Sequence, residues 1–138
     1  MSIHQTTAAQ HPDQPASGQA PAPGSALAAD LITAHLAASP HRGTGRGEAL
    51  DHLLVIITRT AEDLDDTAEE LHCTAARARD RLEAAATGRA LSTADQPVMA
   101  ATGAELDLLG AVARTQTRHL RQLLHTYRKL NTPPPEAS

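Results

Sequence analysis

The sequence predicts an all-α protein: an antiparallel hairpin of two long helices, coiled-coil-like with an Ala/Leu seam, preceded by a short helix and assembled as a dimeric helical bundle. Three observations carry this expectation. Apolar residues recur at alternating steps of four and three over two long stretches; a turn rich in Gly, Ser, Thr and Pro separates those stretches; and the charge of the four half-helices alternates in sign along the chain.

Residues 1–24 are rich in Gln, Ala, Pro, Ser and Gly. Such a mixture buries too little apolar surface to offset the entropy of ordering it, so a disordered tail is expected there. A helical domain over 25–131 follows. Its first element is a short helix over about 25–38, capped by Ser25, with Leu27, Leu31 and Ala34 on one face and a stop before Pro40. The next segment, PHRGTGRG, reads as a loop. Its glycines lack the spacing and the preceding strand of a phosphate-binding loop.

The second helix is expected over about 48–87. Leu50, Leu54, Ile57, Ala61, Leu64, Ala68, Leu71, Ala75, Ala78, Leu82 and Ala85 form its apolar series, and Gly88 supplies the stop. After the turn, Ser92, Thr93 or Asp95 can cap a third helix over about 94–131, with Pro97 in the first turn where its missing N–H does least harm. Its series is Met99, Thr102, Leu106, Leu109, Ala113, Gln116, Leu120, Leu123, Tyr127 and Leu130. Residues 132–138, TPPPEAS, cannot continue it and read as a disordered Pro-rich tail. Small residues (Ala61, Ala68, Ala75, Thr102, Gly103, Gly110 and Ala113) are expected to let the two long backbones approach closely.

Charge supports the antiparallel arrangement. Residues 48–73 carry eight acids and one base, 74–91 four bases and two acids, 92–110 three acids and no base, and 111–130 five bases and no acid. Folding back at the turn sets acid against base in both halves. Asp63, Asp66, Glu69 and Glu70 are then expected opposite Arg114, Arg118 and Arg121, and Arg77, Arg79 and Arg81 near Glu105 and Asp107. Exposed pairs contribute only about 0.2–1 kcal/mol each, so the pattern speaks for orientation rather than stability.

Composition narrows the function. There is no Phe, no Trp and a single tyrosine, Tyr127, so the core is built of Ala and Leu. Because Ala brings little area to burial, self-association or a partner is expected to complete it. One cysteine, Cys73, excludes an internal disulfide and a multi-cysteine zinc site. No secretory signal is read at the start, and the run LLVII is far short of the ~20 residues a membrane span needs. The expected location is therefore cytoplasmic, with no membrane partner.

The candidate chemistry is sparse. Glu69 and His72 have the Glu-x-x-His spacing by which di-metal four-helix bundles point two ligands from one helix face into the interior. No second copy of the motif occurs, and the heptad register puts Glu69 outward with His72 beside the seam, so no metal or other cofactor is expected. Cys73 is expected on the outer face of the helix, with no His–acid arrangement that activates it. His119 is expected near Glu62 and Asp63 as an ion pair. The basic run RTQTRHLRQLLHTYRK has no aromatic residues spaced to stack on bases, and the chain's net charge is −4. Nucleic acid is therefore not an expected partner.

What a two-helix hairpin leaves uncovered points to protein. Leu53, Val55 and Ile56 flank the seam on the second helix, and Leu108, Val112 and Leu124 do so on the third. The short helix can cover part of this surface near LLVII, Leu123, Leu124 and Tyr127; the remainder fits a second copy or another protein's helix. The architecture resembles that of the small hairpin proteins exported by type VII systems, which carry a Trp-x-Gly turn and a Tyr-x-x-x-Asp/Glu tail. Here the turn reads ATGRA, and Tyr127 is followed at the fourth place by Asn131, so both motifs fail. The expected role is a non-enzymatic scaffold, adaptor or regulatory subunit that binds itself or another helical protein. A metal-binding bundle using Glu69 and His72, or a secreted hairpin effector, is the alternative.

Overall fold

Helices α1 (Pro23–Ala37), α2 (Gly45–Ala86) and α3 (Asp95–Asn131) make up the structure, a computed structural model that describes residues 21–37, 45–88, 93, 95–133 and 135. Among these residues there is no strand. Residues 1–20 of the tail expected over 1–24 lie outside the described residues, as do most of the two connections and of the C-terminal tail.

At about 1.5 Å per residue, α2 and α3 are roughly 63 and 55 Å long. They pack along each other, and α1 lies mainly on α2. Polar contacts mark their relative direction. Arg46, at the start of α2, donates from Nε to the Leu130 carbonyl at 2.7 Å and from Nη2 to the Leu130 and Thr132 carbonyls at the end of α3. Arg81, near the end of α2, donates to Thr102 Oγ1 near the start of α3 at 3.4 Å.

The helix ends differ from expectation at α1 and α2. Helix α1 begins at Pro23, two residues inside the segment assigned to the tail, and Ser25 is not its cap. Proline fits a first helical position because its missing N–H needs no partner. The next two N–H groups are satisfied from α2: Asp65 Oδ1 accepts from Gly24 N–H at 2.6 Å, and Oδ2 accepts from Ser25 N–H at 3.0 Å and from the Ser25 hydroxyl. A carboxylate at a helix N-terminus also meets the positive end of the helix dipole. Helix α2 begins at Gly45, so the last residues of the expected loop are helical. Its far end is as expected: Gly88 adopts φ +96° just beyond Ala86, with Thr87 N–H bonded to the Glu83 carbonyl.

Apart from Ala78, the buried apolar residues gather at one end. Ala28 and Leu31 of α1, Ile57, Ala61 and Leu64 of α2, and Leu120, Leu124 and Tyr127 of α3 form one cluster, with Leu27, Ile32, Leu50, Leu53, Leu54, Ala113 and Leu123 packed around it. Helices α1 and α2 approach closely at Gly24, where an added methyl group would run into the Ala61 carbonyl. Gly103, expected at the α2–α3 seam, is exposed with open space around it.

Toward the turn only two helices remain, and the seam changes character. Thr67, Thr74 and Thr102 are buried there, whereas Ala75 is exposed and Leu82 is 54% exposed. The expected series through Ala68, Ala75 and Leu82 is thus rotated by one residue onto the threonines. Thr67 donates its hydroxyl to the Asp63 carbonyl and Thr102 to the Val98 carbonyl, each at 2.8 Å within its own helix. With its hydroxyl so satisfied, threonine presents a methyl group to the seam at little cost. Leu130, expected in the α3 series, is exposed at the other end.

Candidate interaction surface

On α3 the buried or half-buried positions Thr102, Leu106, Leu109, Ala113 and Leu120 share one face. At 3.6 residues per turn, positions one place earlier lie about 100° to one side and positions one place later about 100° to the other. The earlier set is Ala101, Glu105, Leu108, Val112 and His119, all exposed. The later set includes Arg114 and Arg121 and, with Arg118 and His125, gives a basic face beside a groove. The helix therefore has three distinct stripes: packed, apolar and exposed, and cationic.

The apolar stripe faces the same side as part of α2. Val98, Ala101 and Glu105 line a cleft of about 420 Å³ together with Thr74, Arg77 and Arg81. The contacts with α1 run through Asp51, Ala61 and Asp65, on the opposite flank of α2. Of the six positions expected to form an interaction surface, Val55 (63%), Ile56, Leu108 (65%) and Val112 are exposed. The other two are not available. Leu53 is half-buried against the core, and Leu124 is 4% exposed within the cluster that contains Ala28 and Leu31.

The metal motif stays on the surface. Glu69, His72 and Cys73 are all exposed, and no group of three or more His, Cys, Asp or Glu able to hold a metal occurs among the described residues. Nor do the expected cross-helix ion pairs close: Asp63, Asp66, Glu69 and Glu70 make none with Arg114, Arg118 or Arg121, and His119 makes none with Glu62 or Asp63. Long arginines on a wet face give up rotamer freedom on pairing, which offsets most of what such a pair returns.

A polar cluster that sequence reasoning missed joins all three helices. His35 of α1 sits between Asp51 of α2 and Tyr127 of α3, with Nε2 2.9 Å from Asp51 Oδ1 and Nδ1 in hydrogen-bond contact with the Tyr127 hydroxyl. Ionised Asp51 can only accept, so Nε2 carries the proton and, in neutral His35, Nδ1 accepts from the tyrosine O–H. The two rings meet edge to face at 5.7 Å between centroids. Tyr127 is 4% exposed, and its pKa is raised above 10.0, first by burial and then by the Asp51 charge. Asp51 itself is exposed. This arrangement resembles a proton relay in order only; its outcome is to pin α1 at its C-terminal end, as Asp65 does at its N-terminal end. The signal in the sequence was the chain's lone tyrosine, placed among the leucines Leu120, Leu123 and Leu130 of the α3 series.

What the surface offers chemically is apolar area bounded by charge. Compared with protein-family models, curated proteins and solved structures, the chain finds no match in any of the three.

Proposed function

We propose that the protein is a non-enzymatic helical interaction module, a scaffold, adaptor or regulatory subunit, in which α2 and α3 form an antiparallel coiled-coil-like hairpin that self-associates. The observation that carries this reading is the exposed apolar set Val55, Ile56, Leu108 and Val112 on two helices whose seam toward the turn is made of threonine and half-buried leucine. Isolated exposed apolar side chains are common on any protein, but four on the long helices of a chain with so few large core residues favour a covering partner.

The pins on α1 support the same reading. With α1 held at both ends by Asp65, Asp51 and Tyr127, it occupies one flank of the hairpin, and the other flank remains for contact. A dimeric bundle would bury that flank in the same way α1 buries the first. The working location in this reading is the cytoplasm, and no helix among the described residues is long and apolar enough to cross a membrane. Sedimentation equilibrium over micromolar concentrations, together with affinity capture from the native cell, tests the proposal. A mass above one chain, or a stoichiometric helical partner, is the expected result; a strict monomer that captures nothing would refute it.

A further inference from the structure

We infer that α3 recognises a second copy of itself: two α3 helices pack antiparallel along the stripe that carries Leu108 and Val112, about a twofold axis at Val112. The inference rests on the self-association proposed above and assigns it a surface. Its basis is that this stripe holds both halves of a fit. Leu108 projects from the helix, 65% exposed. One turn further on, Ala111, Val112, Thr115 and Gln116 line a depression of about 260 Å³. Those four positions adjoin on the helix surface and leave a shallow, mostly apolar depression that can take a side chain from a facing helix.

A surface bearing a knob and a hole along one line is complementary to its own reversed copy, which is the requirement for a twofold interface. With the axis at Val112, Leu108 falls opposite the partner's Gln116, at the edge of that depression. The same operation sets Glu105 opposite the partner's His119, since one lies seven residues before Val112 and the other seven after. These are the titratable residues on the stripe between Val98 and Gln122, and they are of opposite kind; a parallel pairing would set each against its own like. Length agrees as well. Val112 is one residue from the middle of Asp95–Asn131, so reversed copies overlap along the whole helix instead of at one tip.

The other charged face of α3 takes no part. Arg114, Arg118 and Arg121 lie well around the helix from Leu108 and stay in water. On α2, Arg77 and Arg81 border the cleft beside Glu105 and form the rim of the proposed contact. Rim charges tune orientation and salt dependence more than affinity.

The test uses the full chain. In a Cys73→Ser background, Val112→Cys sets two thiols across the axis, and mild oxidation is expected to convert most of the protein to a disulfide-linked dimer, whereas Leu130→Cys, far from the axis, is expected to cross-link little. Separately, Leu108→Asp is expected to sediment at the 14.5 kDa chain mass with unchanged helical circular dichroism, while the wild type sediments at twice that mass. A dimer that survives Leu108→Asp, or one in which the Val112 cysteines do not join, would overturn the α3 axis yet leave self-association standing. A wild-type chain that remains at 14.5 kDa at every concentration would overturn both.

Discussion

Gly24 is the position where a single methyl group decides most. Its neighbour is backbone, the Ala61 carbonyl, so nothing can swing aside and the helices themselves must part. Gly24→Ala is expected to destabilise the fold by about 1–3 kcal/mol through overpacking, despite alanine's better helix propensity. Gly103 supplies the control. Its surroundings are open, and Gly103→Ala in mid-helix is expected to stabilise by about 0.5–1 kcal/mol. Urea unfolding of the two variants should move the midpoint in opposite directions; a shared direction would mean that α1 does not dock where described. Tyr127 makes a second test at this scale. Its raised pKa means that above pH 10 the unfolded chain loses the phenolic proton before the folded one does, so unfolding releases a proton. Stability is therefore full below pH 10 and falls as pH rises through the folded value. Tyr127→Phe should flatten that alkaline fall, at a loss of about 0.5–1.5 kcal/mol near neutral pH from the missing bond to His35.

The helices as elements were legible in the sequence to within a few residues, because a four-three apolar step persisted over five heptads and Gly88, Pro97 and Pro133 punctuated it. The exact face was less so. Ranking residues by apolarity favours Ala68 and Ala75 over Thr67 and Thr74, yet a threonine whose hydroxyl is bonded inside its own helix fills a seam better than alanine does. The start of α1 was misjudged for a different reason: its cap comes from another element. Asp65 closes α1 and Arg46 closes α3, and neither partnership can be seen before the helices are docked. Arg46→Ala is expected to release the carbonyls of Leu130 and Thr132 and fray the last turn of α3, costing about 1–2 kcal/mol. Hydrogen exchange should report faster exchange confined to residues near 128–132 and the first turn of α2; a loss spread evenly along α3 would contradict a capping role.

The molecule as a whole is unevenly built. Every member of its main apolar cluster lies where α1 joins α2 and α3, and the other half relies on three threonines, Ala78 and half-buried leucines. Opening free energy follows buried apolar contact, so amide protection should be graded along both long helices. Residues 57–64 and 120–127 are expected to exchange only by global unfolding, and residues 74–86 and 97–106 by local opening at least ten times faster. Equal protection at both ends would show that something besides these contacts holds the turn half. In the candidate surface, periodicity alone identified Val55, Ile56, Leu108 and Val112 correctly as outward, but it placed Leu53 and Leu124 there too, because only the docking of α1 turns that flank into core.

Such uneven building makes the protein resemble a peg that is thick at the head and narrow at the tip. Warming should split it from the tip, with the two shafts separating near Gly88 while the head still grips. A second chain clamped along the middle of α3 would stop that split from spreading, and folding and assembly would then reinforce each other without any change in the head.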